Sequence, residues 1–292
     1  MAALLALNSA ARADLEPVQG VNGLEEIEFS KLSQRDLNPL GEKALAIHPE
    51  QWKHAEGEHF IYHFTHGFVA TPVSVEAEFY YRVIVKALER EQPPGDTKSH
   101  IYIFETPEDW AQFQQLGHLE KWTGGIHSGG SLFIVRDPRY KFTNNSLGHE
   151  IAHLIVHRFY SEGVPCWLDE GFAEYVSKTA QASYHRARGY RAHPRAAVFA
   201  PDELIPLSAL LGFLRPPSDQ VNVFYDESER LVRFLVASDK ASFLTLFDAL
   251  GKHQPFESAF LRTYAGRFAT TASFEEQFRA DASKNAAESD SG

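Results

Sequence analysis

The stretch NNSLGHEIAHLIVHRF, residues 144–159, carries two histidines four positions apart, with a glutamate directly after the first. Apolar residues recur at helical spacing along it, which predicts a helix with one buried side. These residues are Leu147, Ile151, Leu154 and Ile155. His149 and His153 lie one turn apart on the opposite side, the geometry in which two imidazoles bind one zinc ion. The alternative is a solvated helix face, because HExxH pentapeptides also arise by chance.

Two further residues of this helix have different expected roles. Glu150 is rotated by about 100° from His149, so it can address a water on a metal without being a ligand. His157 lies a turn beyond His153, but His149 and His157 are about 12 Å apart along the axis at 1.5 Å per residue. Because zinc–nitrogen bonds are about 2 Å long, the third ligand must come from another element. We expect His157 to be a surface or supporting residue.

The segment GVPCWLDEGFAEYVSK, residues 163–178, predicts a second helix that starts near Pro165. Its apolar face carries Leu168, Phe172, Tyr175 and Val176. A glycine inside a helix costs about 1 kcal/mol relative to alanine. Gly171 therefore indicates that another backbone or a substrate comes close.

The opposite face of this second helix carries Glu170 and Glu174, one turn apart. Two solvated carboxylates are the plain interpretation of such spacing. A helix returning after a short turn would instead place Glu170 beside His149 and His153. Two histidines and one glutamate with an open fourth position are typical of a catalytic zinc site.

Composition limits the class of protein. The 292 residues are 43% hydrophobic and 13% aromatic, which indicates a packed globular chain. The formal net charge of -11 and the absence of a Lys/Arg cluster make nucleic acid and anionic membranes poor partners. The single cysteine, Cys166, excludes an intrachain disulfide and says little about the compartment. No apolar run approaches 18 residues, so we expect no integral membrane segment.

The N-terminus, MAALLALNSAARADLEP, contains a short apolar run followed by the small-x-small pattern Ala11-Arg12-Ala13. We interpret residues 1–13 as a truncated signal peptide whose true start lies upstream, with the mature chain beginning near Asp14. The protein would then be exported to the periplasm or cell envelope. A frayed N-terminal helix on a cytoplasmic protein is the alternative, because the positive region of a signal is missing.

The remaining pattern predicts an α+β fold, with a small mixed N-terminal sheet followed by a helical lobe. Strands are expected at 58–64, 99–105 and 131–137, and helices at 73–90 and 106–116, the latter capped by Thr106. The segment WTGGIHSGG reads as flexible and rich in turns. The expected organisation is an extended lead-in at 14–45, a domain at 46–282 (sheet part 46–145, helical part 146–282) and a disordered tail at 283–292.

The motif HEIAH at 149–153, followed by WLDEGFAEY at 167–175, resembles the gluzincin metallopeptidases, in particular the bacterial peptidase-MA-like domains. The resemblance continues through VFYDESERLVRFL and the final helices, over roughly residues 58–282. It implies zincin-type active-site helices and Zn²⁺ held by His149, His153 and Glu170. Glu150 would be the general base, and Glu174 would orient a ligand histidine.

The resemblance also bears on the rest of the catalytic apparatus. Gluzincins often use a tyrosine or histidine of the helical lobe as oxyanion donor, and Tyr225 lies at about the right place, with a core tyrosine as the alternative. The segment GGIHSGGSLFIV resembles the edge strand along which peptide substrates lie. Aminopeptidases of this clan carry a Gly-x-Met-Glu-Asn motif there, whose glutamate binds the substrate's amino terminus. This chain reads GGIHSGGS instead, which favours an endopeptidase.

Two other function classes stay open at the level of sequence. One is a binding module that keeps the fold without turnover, against which the intact Glu150 argues. The other is a zinc hydrolase of a non-peptide amide, because the same chemistry serves both bonds. A peptide or protein is the expected partner, and nothing in the sequence indicates an oligomeric state.

Overall fold

A computed structural model describes residues 24–91, 97–121, 123–136, 146–189 and 204–289. The fold is mixed α+β, with a five-stranded sheet towards the N-terminus and a helical C-terminal part. This confirms the predicted fold class. Within the described ranges, no helix is both long and apolar enough to cross a membrane.

The sheet contains the strands β1 (Lys53–Glu56), β2 (Phe60–Phe64), β3 (Ser99–Phe104), β4 (Gly125–Ser128) and β5 (Ser131–Val135). Their order across the sheet is β1-β2-β3-β5-β4. The three inner strands run parallel, and β1 and β4 pair antiparallel at the two edges. The sheet is therefore mixed, and its central strands are buried because both faces are covered.

The α-helices of the described ranges differ widely in length, from 6 residues at Leu207–Gly212 to 22 residues at Cys166–Ala187. In chain order they are α1 (Pro39–Leu45), α2 (Gly67–Ala87), α3 (Pro107–Gly117), α4 (Ser146–Phe159), α5 (Cys166–Ala187), α6 (Leu207–Gly212), α7 (Val221–Ser238), α8 (Lys240–Leu250), α9 (Phe256–Thr263) and α10 (Thr271–Ser289). The cap predicted for α3 is confirmed, since the Thr106 side chain accepts a hydrogen bond from the Asp109 N–H at 3.1 Å.

Three expectations about local structure are wrong. Residues 39–45, inside the predicted extended lead-in, form α1, because Asn38 caps the helix and Pro39 suits its first position. The segment read as flexible from its pattern contains β4, which pairs with β5 at the sheet edge, as the resemblance to an edge strand implied. Helix α10 continues to Ser289, so it includes part of the segment predicted as disordered, and residues 290–292 lie outside the described ranges.

Two compact units are present, each with its own core. In the unit that contains the sheet, one face of β3 and β5 packs against α1 and α3. Its buried core residues are Ala44, Ile47, Tyr102, Phe104, Trp110, Phe113 and Phe133. The unit that contains α7 to α10 has an aromatic core of Phe260, Tyr264, Phe268 and Phe274.

Candidate metal centre

The two histidines of the HEIAH motif face each other on α4. Their Nε2 atoms are 3.0 Å apart and their ring centroids 4.6 Å apart. The apolar stripe on the other side of the helix is buried as its spacing predicted: Leu147, Ile151, Leu154 and Ile155 are each at most 1% exposed. That burial fixes the rotation of α4, so His149 and His153 present their nitrogens together.

The third predicted ligand comes from α5, the helix that follows α4 in the chain. One ligand atom from each of His149, His153 and Glu170 lies within 4.8 Å of the other two. A tetrahedral zinc ion with bonds of about 2 Å separates its ligand atoms by roughly 3.3 Å. The donor set of two imidazole nitrogens and one carboxylate oxygen therefore fits a zinc ion after small side-chain movements.

Glu150 is buried and lies next to the edge strand. The residue is 8% exposed. A Cβ atom placed on Gly125 of β4 would lie 3.1 Å from Glu150 Cγ and 3.2 Å from Glu150 Oε1. The backbone of β4 thus reaches the Glu150 carboxylate because residue 125 has no side chain. The glycines of GGIHSGG permit a close backbone approach, but the sequence did not predict that Gly125 meets Glu150.

His157 takes part in a second group of candidate ligands. Nitrogens of His153 and His157 and a carboxylate oxygen of Asp169 also lie within 4.8 Å of one another. His157 is exposed, and its ring lies 5.3 Å from the His127 ring on β4. Because His153 belongs to both groups, one ion can use only one of them at a time. Asp169 is a residue that the sequence reasoning missed, although it directly precedes Glu170.

Glu174 lies one turn beyond Glu170 on α5 and forms an ion pair with Lys178 at 2.9 Å. Lys178 also lies 3.7 Å from Asp226 of α7. Burial alone would lower the pKa of the Lys178 ammonium, but the carboxylates of Glu174, Glu229 and Asp226 raise it above its ordinary value. The predicted contact between Glu174 and a ligand histidine stays a prediction.

Tyr225 lies in the second turn of α7 and is half-buried, with its ring 6.0 Å from that of Phe224. Helices α5 and α7 approach closely at Gly171, where an added Cβ would collide with the backbone carbonyl of Ser228. The sequence predicted that another backbone or a substrate comes close to Gly171, and the structure shows the backbone of Ser228 there. Tyr225 lies one turn before Ser228, on the side of α7 that faces α5.

A third group of candidate ligands, Glu58, His59 and Glu78, has a different explanation. His59 Nδ1 is 2.6 Å from Glu78 Oε2, and Glu78 Oε1 accepts the backbone N–H of His59 at 3.1 Å. The Tyr62 hydroxyl donates to the same oxygen at 3.3 Å. These hydrogen bonds already join β2 to α2, so the cluster has a structural role.

Two imidazoles and a carboxylate that could hold a metal ion, on an α+β scaffold, are typical of metal-dependent hydrolases. A family model described as the Peptidase MA superfamily matches residues 88–281, and the chain belongs to that superfamily. Membership indicates a metallopeptidase type of function, general dependence on a metal, and peptide or protein substrates. A search of curated proteins finds no significant match to this sequence.

Proposed function

We propose that the protein is a zinc-dependent peptidase of the gluzincin type, with His149, His153 and Glu170 as the zinc ligands. The observation that carries this proposal is the proximity of their three donor atoms, all within 4.8 Å. The ligands belong to two helices that carry HEIAH and WLDEG, as the resemblance implied. We prefer Glu170 to the alternative pair of His157 and Asp169. The group with Glu170 uses both histidines of the HEIAH motif, and Glu150 lies between those histidines in the sequence.

Bound zinc would polarise the scissile carbonyl and lower the pKa of a water molecule towards 7. Glu150, buried beside β4, accepts the proton of the attacking water and delivers it to the leaving amine. Tyr225 donates a hydrogen bond to the developing oxyanion. Glu174 orients a ligand histidine, with Lys178 holding its other side.

The edge strand β4 supports a peptide substrate rather than another amide. In the part of the chain that the structure describes, β4 pairs with β5 on one side and with no strand on the other. An extended peptide can add to such an edge through main-chain hydrogen bonds. Beside Glu150, this strand would hold the cleaved bond next to the general base.

An endopeptidase is the favoured type. Strand β4 reads Gly-Ile-His-Ser, and none of its side chains is a carboxylate that could bind the amino terminus of a substrate. Aminopeptidases of this clan need such a group. A substrate chain could therefore extend past the cleavage site in both directions.

The proposal is tested by measuring zinc content and cleavage of casein on the purified protein, before and after treatment with a chelator. We expect about one zinc per chain, cleavage at internal bonds, loss of cleavage with the chelator and recovery on adding zinc. Casein left intact by a zinc-loaded protein would favour the binding module. Hydrolysis of a small acylated amine without cleavage of casein would favour the non-peptide hydrolase.

We also propose that the protein is exported, on the strength of the apolar start and Ala11-Arg12-Ala13, which lie outside the described residues. Expression from the native start, or from one recovered upstream, should yield a periplasmic product that begins near Asp14. Fractionation and N-terminal sequencing measure this. An uncleaved cytoplasmic product from both starts would contradict export.

A further inference from the structure

The side chain of Asn38 makes two hydrogen bonds that join the segment before the family match to the edge strand. Its Oδ1 accepts the N–H of Gly41 at 2.7 Å and so caps α1. Its Nδ2 donates to the carbonyl of Ser128, the last residue of β4, also at 2.7 Å. Residue 38 lies 50 positions before residue 88, where the match to the superfamily begins.

Asn38 also contacts the turn that joins β4 to β5. This two-residue turn consists of Gly129 and Gly130, with φ of 55° and 77°, the conformation of a type I′ hairpin. A Cβ on Gly129 would be 3.0 Å from Asn38 Nδ2. The amide of Asn38 therefore packs against the turn as well as bonding to the strand.

The platform that carries Asn38 is fixed in the core. Helix α1 buries Gly41 and Ala44, and Ala44 packs in the aromatic core with Tyr102 and Phe133. A Cβ on Gly41 would collide with the Tyr102 hydroxyl, so α1 packs on the sheet at a distance that only a glycine at position 41 permits. The hydrogen bond to Ser128 thus starts from a rigid point.

The register of β4 shows which of its backbone groups face the open edge. Ser128 pairs with Ser131 across the turn, and the N–H of Val135 donates to Gly124 at the other end. In an antiparallel pair, hydrogen-bonded positions alternate with positions that point outward. Gly125 therefore presents its backbone groups away from β5, between the Asn38 contact and Glu150.

We propose that Asn38 is a positioning residue that aligns β4 for a peptide substrate, so that a segment outside the family match forms part of the substrate-binding apparatus. The proposal rests on the proposed function. Strand β4 is four residues long and is paired on one side, so its end is held by few bonds. Losing the bond from Asn38 leaves the outward backbone groups of Gly125 less well aligned with a substrate backbone.

The test uses Asn38→Asp in the full chain. Aspartate caps a helix as well as asparagine, so α1 is kept, but a carboxylate cannot donate to the Ser128 carbonyl. Because one hydrogen bond is lost, we expect KM for peptides cut from casein to rise about 3- to 10-fold, more for longer peptides, with kcat changed less than twofold. Amide hydrogen exchange at residues 125–128 should become faster, and zinc content should not change.

Two controls separate this role from general damage. Asp239→Asn exchanges the same two residue types at the cap of α8, where Asp239 accepts from the Ser242 N–H at 3.1 Å, and should alter neither KM nor exchange in β4. Asn38→Ala removes the helix cap as well as the bond to Ser128. It should therefore raise KM and also lower the stability of the protein. If Asn38→Asp leaves both KM and β4 exchange unchanged, the proposal is wrong. If the wild type cleaves no peptide, the proposed function fails, and exchange alone still decides whether Asn38 holds the strand.

Discussion

His149 and His153 of α4 bring two nitrogens to 3.0 Å, while His54, His63 and His100 of the sheet make two nitrogen–nitrogen contacts of 2.8 Å each. In α4 both contacting atoms are Nε2, and a carboxylate oxygen of Glu170 lies close to both imidazoles. In the sheet, His63 uses Nδ1 towards His54 and Nε2 towards His100. The helix pair converges on one point, whereas the sheet histidines form a chain.

The three sheet histidines lie where a positive charge is costly. His63 is fully buried and stacks on Tyr102 at 4.4 Å. Burial and then the neighbouring His100 and His54 hold the pKa of His63 well below its ordinary value. Burial also lowers the pKa of His54 and of His100. Neutral rings satisfy both contacts, because each has one N–H and one acceptor nitrogen.

The comparison shows that a short distance between imidazoles does not by itself define a metal centre. What distinguishes the α4 pair is the identity of the nitrogens, their shared direction and a carboxylate nearby. The three sheet histidines instead cross-link β1, β2 and β3 through hydrogen bonds between uncharged rings. Substitutions in the two places should therefore affect different measurements.

The largest effect is expected for Glu150→Gln. The change keeps the size of the side chain and removes the proton acceptor, so casein hydrolysis should fall by about 10²–10⁴-fold, roughly 3–5 kcal/mol of barrier. Zinc content and thermal stability should stay at wild-type values. Loss of zinc in this variant would make Glu150 a ligand and contradict the proposed geometry, while an unchanged rate would point to a protein without turnover at this site.

The next effect is expected for the ligands themselves. Glu170→Ala should weaken zinc binding by more than the roughly 10–100-fold typical of residues that only support a ligand, because it removes a bond to the metal. Asp169→Asn and His157→Ala are the matched controls and should retain about one zinc per chain in metal analysis. The reverse ranking would assign the metal to His153, His157 and Asp169.

The smallest effect is expected for the three sheet histidines, and it is a pH-dependent change in the free energy of unfolding. Because folding lowers the pKa of these histidines, the unfolded chain binds more protons in acid. Their contribution to stability is present above the ordinary histidine pKa of about 6.5 and is lost as pH falls through the lowered values. Nearby Glu56 and Asp36 act in the opposite direction on His100, but burial outweighs them.

His63→Phe keeps a ring against Tyr102 and removes the central titrating group. At neutral pH we expect unfolding to become easier by about 1–3 kcal/mol, because His54 and His100 each lose a partner. Between neutral pH and mild acid the variant should lose less stability than the wild type. Denaturant unfolding across this pH range measures both, with exposed His118→Asn as the control. If His63→Phe loses stability in acid as steeply as the wild type, the three sheet histidines are not the source of that loss.

Local patterns were sufficient to predict the helices that carry the candidate metal centre. The stripe of α4, the shared face of its two histidines and the close approach at Gly171 all follow from the helical period within single segments. The cap of α3 at Thr106 follows from one residue and its neighbours. These features depend on residues within a few positions of one another, so the sequence carries them directly.

The sequence by itself determined the two helices, their motifs and the α+β class. Tertiary structure alone decided that β4 pairs with β5, that Gly125 lies against Glu150, and that His63 joins His54 to His100. It also decided that Asn38 bonds to Ser128, 90 positions away. Strand pairing and packing of this kind draw their free energy from partners remote in the chain, and no local period records which partners will meet.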